Sequence, residues 1–261
     1  MRNGTVATVS SPLHTVIVAV VGLLLARSAV AAWRNRTIAV TVWRRVRPRH
    51  VLGSIGLIGI VVGVALTIAT LLPVTQFGLG DLVGVQGNAV FAPIEDVLLD
   101  SPPTSSAATP SQEQGTDLRD AALVVGFCLF LLALLPWLAY VEEQAFRAGL
   151  EHASMGRQAS AALRFGLAHL VMLIPLAAAL AIAVAGFAYG VIYRRAYARV
   201  MARAPAPLIQ TDRFASAAGR APTTPVHART QAILASTVWH TTFNSVIVLA
   251  LLVTVATTLR Q

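Results

Sequence analysis

The chain has 261 residues, of which 56% are hydrophobic and only 12% charged, against about 25% charged in a soluble domain. That shortage, together with long uncharged runs, excludes an ordinary soluble domain and points to a protein that crosses a membrane several times. The net charge of +9, carried on 20 arginines with no lysine, would suit a nucleic-acid binder. The arginines flank apolar runs, however, so they read as membrane orientation signals and no nucleic-acid partner is expected.

Residues 13–33 form the first apolar span, followed by Arg34, Arg36, Arg44, Arg45, Arg47 and Arg49. The Ala29-Val30-Ala31 stretch resembles a signal cleavage site, but only Arg2 precedes the run and the dense positive charge follows it. That asymmetry predicts a retained helix whose C-terminal end is cytoplasmic. Residues 51–73 form the second span, ending at Pro73. Residues 74–118 hold six acids and no base, which predicts a non-cytoplasmic loop, turn-rich and mobile near 101–116.

Residues 121–141 make the third span, and the helix is expected to continue through Glu142, Glu143 and Arg147. The run 161–193 has Pro175 near its middle. A span needs about 20 residues, so this run is expected to form a hairpin of two short or tilted helices breaking near Pro175, which keeps Arg194 to Arg229 on the cytoplasmic side. Residues 194–230 then form a cytoplasmic loop and 231–258 the last span. The expected fold is an all-α polytopic transmembrane bundle of about six spans. It comprises an N-terminal membrane region over 1–120, with two helices and the non-cytoplasmic loop, and a membrane core over 121–261. The expected location is a bacterial cell membrane, with membrane lipids as partners.

Three polar clusters interrupt the apolar background: Glu142-Glu143-Gln144-Ala145-Phe146-Arg147, Phe165-Gly166-Leu167-Ala168-His169, and His240-Thr241-Thr242-Phe243-Asn244. Ionisable groups at membrane depth are expensive and are retained for function. Residues four apart share a helix face, which pairs Glu143 with Arg147, Phe165 with His169 and His240 with Asn244. Glu142 points about 100° away from Glu143 around the helix. It is therefore free to face another helix, while Glu143 pairs with Arg147. Desolvation would make Glu142 a useful general base.

In order and form these clusters resemble the motifs of the CAAX-protease and bacteriocin-processing (CPBP, or Abi) family of intramembrane proteases: Glu-Glu-x-x-x-Arg, Phe-x-x-x-His and His-x-x-x-Asn. The resemblance covers about residues 121–250, and the Gly186–Tyr193 stretch is similar to the family's glycine-bearing helix. The long gap between Tyr193 and His240 departs from many members.

The resemblance implies a glutamate-dependent peptidase acting near the cytoplasmic face on small peptides or membrane-associated proteins, lipidated or not. Glu142 and His169 would activate a water, and His240 and Asn244 would donate to the oxyanion. Glu143 and Arg147 would orient the first carboxylate, with Phe165 packed beside the site. No cofactor is expected. The alternative is zinc held by Glu142, His169 and His240, although no acid clearly stands behind the imidazoles. Two rival readings use the same cavity or the same groups: a non-catalytic scaffold or bacteriocin-immunity protein, and a transporter with a proton relay, which would more often show repeated halves. Cys128 reads as a packing residue, His50 and His227 as loop residues beside arginines, and Trp239 as packing.

Overall fold

The computed structural model describes residues 12–83, 90, 110–203 and 225–258. Among these residues the chain is helical, with a single isolated bridge between Gly78 and Pro175 and no strand. The helices are α1 (Pro12–Arg34), α2 (Arg36–Arg45), α3 (Pro48–Leu71), α4 (Leu79–Val83), α5 (Pro110–Arg147), α6 (Met155–Ala168), α7 (Leu176–Ala202) and α8 (Pro225–Thr258). Single 3-10 turns follow α3, over Pro73–Gln76, and α6, over His169–Met172.

Local chemistry sets several of these boundaries. Pro48 opens α3 at a position where its missing N–H costs nothing. Ser154 caps α6 by accepting from Arg157 N at 3.3 Å. Leu173 takes a left-handed φ of 64° and Pro175 precedes α7, so the chain breaks where the proline predicted a break. Leu176 N then donates to Phe77 O at 3.0 Å, tying the start of α7 to the turn after α3.

Among the described residues, four helices are long and apolar enough to cross a membrane: Pro48–Leu71, Ala121–Arg147, Leu176–Ala202 and Pro225–Thr257. The all-helical membrane architecture therefore stands, whereas six spans are not reached among the described residues. Helix α1 covers the expected first span but is not one of the four. The expected hairpin over 161–193 has a short first leg. Helix α6 has 14 residues, about 21 Å at the usual rise, against a hydrocarbon core of roughly 30 Å.

Other boundaries also shift. Residues 110–118, expected in the loop, belong to α5. Helix α7 runs to Ala202 and α8 starts at Pro225, so the 194–230 segment is helical at both ends. The rest of that segment and most of the 74–118 loop lie outside the described residues.

Helices α5, α7 and α8 form the centre, with α8 packed against both of the others. Helix α6 lies along α7, and α3 packs on α7 and α8. Helices α1 and α2 stand outside against α5. Large apolar side chains on α3, among them Leu52, Ile55, Leu66 and Leu71, are exposed. In water such a surface would be an aggregation hazard; against lipid it is the favourable arrangement.

Small residues allow the central helices to approach closely. On α7 the buried set Ala177, Ala181, Ala185, Tyr189, Tyr193 and Tyr197 repeats every four residues, beside Gly186 and Gly190. A Cβ on Gly186 would stand 2.6 Å from Phe165 Cδ1, so any larger residue must displace the Phe165 ring. Gly186→Val is expected to lower stability by about 1–3 kcal/mol through overpacking, read as a lower melting temperature in detergent. An unchanged melting temperature would show that the α6–α7 contact yields easily.

Candidate functional site

The three polar clusters meet. Glu142, Glu143 and Arg147 lie on the last turns of α5, Phe165 and His169 at the end of α6 and its following turn, and His240 and Asn244 within α8. Glu142 Oε2 stands 3.9 Å from His169 Nε2 and 3.7 Å from His240 Nε2. These separations are too long for direct hydrogen bonds.

The neighbouring carboxylates occupy different environments, as their rotation around α5 suggests. The Glu142 side chain is 34% exposed, whereas those of Glu143 and Arg147 are sealed at 0% and 1%. Arg147 Nε lies 3.3 Å from Glu143 Oε2, so the expected pair is present. It is an ion pair without an aligned hydrogen bond, since neither atom has a hydrogen-bond partner among the described residues.

Glu143 also does something the sequence did not announce. Its Oε1 lies 3.1 Å from His240 Nδ1. It therefore orients the imidazole of His240 and not, as expected, the carboxylate of Glu142. An acid therefore stands behind one of the two imidazoles, that of His240, where none was expected, while His169 is backed by a backbone carbonyl.

These contacts assign the tautomers. His169 Nδ1 lies 2.8 Å from Phe165 O. A carbonyl only accepts, so Nδ1 carries the proton and the Nε2 of the neutral ring presents a lone pair. Glu143, as the carboxylate of an ion pair, likewise accepts from His240 Nδ1–H. In their neutral forms both imidazoles therefore turn acceptor atoms toward Glu142 Oε2, itself an acceptor. Three acceptors facing one another require a shared proton or a bridging donor such as water.

Aromatic rings pack around this arrangement. Phe165 is buried, with its ring centroid 4.7 Å from that of His169 and 5.5 Å from that of His240. Arg147 lies 4.8 Å over the same ring, a cation–π contact. Tyr189 was not singled out from the sequence. It stacks on His240 at 4.8 Å and 19°, and its buried hydroxyl has no hydrogen-bond partner among the described residues. The four-residue repeat on α7 was the available signal for it. Trp239 packs on His50 at 4.9 Å and against Gly53. His50 is thus a buried residue of α3 and His227 lies in the first turn of α8, so neither occupies a loop.

Two expected members of the site fit less directly. Asn244 lies one helical turn beyond His240 and is half-buried, but its side chain makes no hydrogen bond among the described residues. For zinc, ligands at ~2.0–2.2 Å from a tetrahedral ion stand about 3.4 Å apart. The Glu142–imidazole separations are wider, and among the described residues no group of three or more His, Cys, Asp or Glu side chains is arranged to hold a metal ion.

A second polar cluster ties the turn after α5 to α7 and α8. Glu151 Oε1 accepts from the Tyr193 hydroxyl at 2.8 Å and also from Arg229 Nε. Burial pushes the Glu151 carboxyl up. Its own backbone N–H, Tyr193 and Arg229 outweigh that and hold it below the usual carboxylate range. A depressed folded-state pKa contributes stability above the unfolded value of about 4.3, and that stability is lost as pH falls through the folded-state value. Glu151→Gln should therefore melt below wild type at neutral pH, with the gap closing on acidification. A gap of equal size at neutral and acid pH would show that the charge of Glu151 is not what holds the clasp.

Comparisons with family models, with curated proteins and with solved structures give no match for this chain.

Proposed function

We propose that this chain is a membrane-embedded peptidase of the CPBP kind, in which Glu142 and His169 activate a water and His240 and Asn244 stabilise the oxyanion. The observation that carries the reading is the approach of Glu142 Oε2 to the Nε2 atoms of both His169 and His240, at 3.9 and 3.7 Å. Carboxylate, imidazoles and amide come from three separate helical segments, and Glu142 is the partly exposed acid of the pair, with its Oε2 buried against the imidazoles.

The tautomers support a division of labour. A water has two hydrogens, and Glu142 Oε2 and His169 Nε2 are two acceptors for them. As the water oxygen attacks the scissile carbonyl carbon, its proton passes to Glu142. The oxyanion then forms opposite donors. His240 donates there only with a proton on Nε2, its Nδ1–H being already held by Glu143. The C–N bond breaks as Glu142 returns its proton to the leaving nitrogen.

Substrates are small peptides or membrane-associated proteins, lipidated or not. The finer topology of about six crossings in a bacterial cell membrane, with the site toward the cytoplasm, rests on the arginine distribution. Cells carrying Glu142→Gln are expected to accumulate uncleaved forms that differ from wild type at the C-termini of small or membrane-anchored proteins, as read by comparative peptidomics. Identical peptide profiles would favour a non-catalytic scaffold or immunity protein using the same cavity.

A further inference from the structure

Helix α7 carries no charge from Leu176 to Tyr193, an 18-residue run of about 27 Å that nearly matches the hydrocarbon thickness of a bilayer. Arg194 and Arg195 follow at once, at headgroup level. They line an open cleft of about 370 Å³ between α6 and α7, away from the Glu142 cluster. Apolar contacts come from Met155, Val191 and Ala198, and Gln158 lies on the same wall.

The cleft is a prepared one. Arg194 Nη1 donates to the buried Gln158 Oε1 at 2.8 Å, which fixes the guanidinium and leaves its other N–H groups available. Gln158 Nε2 is in turn bonded to Phe187 O at 3.5 Å. Glu151, the acid on the wall, is already engaged by Tyr193 and Arg229, so it does not cancel the two arginines. A pair of cations at headgroup depth, beside an apolar wall, complements a phosphate attached to an acyl chain.

We infer that this cleft binds the phosphate headgroup of an anionic membrane lipid, with the acyl chain leaving past Val191 toward the membrane interior. The assignment stands whether or not the chain is a peptidase.

The test is native mass spectrometry of the full chain in detergent, titrated with phosphatidylglycerol or with phosphatidylcholine of the same acyl chains. Two arginines at a membrane surface predict about 10- to 30-fold tighter retention of phosphatidylglycerol. Arg194→Gln combined with Arg195→Gln should remove that preference. Ala198→Trp should also remove it, because it fills the cleft without altering charge. Arg199→Gln combined with Arg203→Gln should preserve it while losing the same formal charge.

Equal retention of the two lipids overturns the proposal. So does an equal loss in the Arg199/Arg203 variant, which would mean diffuse attraction. Displacement of the bound lipid by inorganic phosphate alone would also overturn it, by making free phosphate the ligand. Should the double arginine variant fail to fold by circular dichroism, Ala198→Trp and Arg195→Gln, both on exposed residues, decide the question.

Discussion

Purified protein carrying Glu142→Ala or His169→Ala is expected to lose peptide cleavage by ~10²–10⁴-fold, and the Glu142→Ala protein to melt close to wild type. Glu142 Oε2 has no hydrogen-bond partner among the described residues and its side chain is one-third exposed, so its removal leaves no buried partner stranded. The loss is therefore one of chemistry and not of folding. Asn244→Ala should fall between, losing ~10²–10³ as for one oxyanion donor while retaining slow turnover. Rates on a labelled peptide and melting curves in the same detergent read both quantities. Continued cleavage by the Glu142→Ala protein would end the proposal. Complete loss of wild-type activity with a tight chelator, restored by Zn²⁺, would move the chemistry to the metal alternative.

Glu143→Ala should behave in the opposite way and damage the fold first. Glu143 faces Arg147 and His240 in a fully sealed layer, with side-chain exposures of 0%, 1% and 3% for the three residues. Removing it leaves a guanidinium buried without its counter-charge and an imidazole N–H without its acceptor. Breaking a buried pair in this way costs about 3–5 kcal/mol. The companion variant, Glu143→Gln combined with Arg147→Met, removes both charges together and keeps an acceptor for His240, so it should recover most of the stability. The measurement is thermal or denaturant unfolding in detergent. A Glu143→Ala protein as stable as wild type would mean that the layer is wet or rearranges.

Much of this arrangement was legible before any coordinates. The low charge content and the runs 51–73, 121–141 and 231–258 identify three of the membrane helices, and Pro175 marks the break before a fourth. The different environments of Glu142 and Glu143 follow from one residue's rotation about α5. The Glu143–His240 bond does not, because it joins residues 97 positions apart and depends on how α5 and α8 are rotated against each other. Tyr189 was hidden for a similar reason, since its contact is fixed by α7–α8 packing. The expected hairpin is present, but the length of its first leg was not legible, because the residues between Phe165 and Pro175 are nearly as apolar as a spanning segment. Only the left-handed Leu173 and the turn at His169 show that α6 stops short.

That early stop has a mechanical meaning. Glu142 and His240 are carried by two of the long central helices, which pack directly on each other. His169 closes a short helix at a joint, its ring held by one carbonyl of its own last turn. Any tightening of the 3.9 Å gap to bonding distance falls most easily on that joint. That joint is pinned to the turn after α3 by the Gly78–Pro175 bridge and by Leu176 N on Phe77 O, so the seating of one turn sets how closely the His169 ring approaches Glu142.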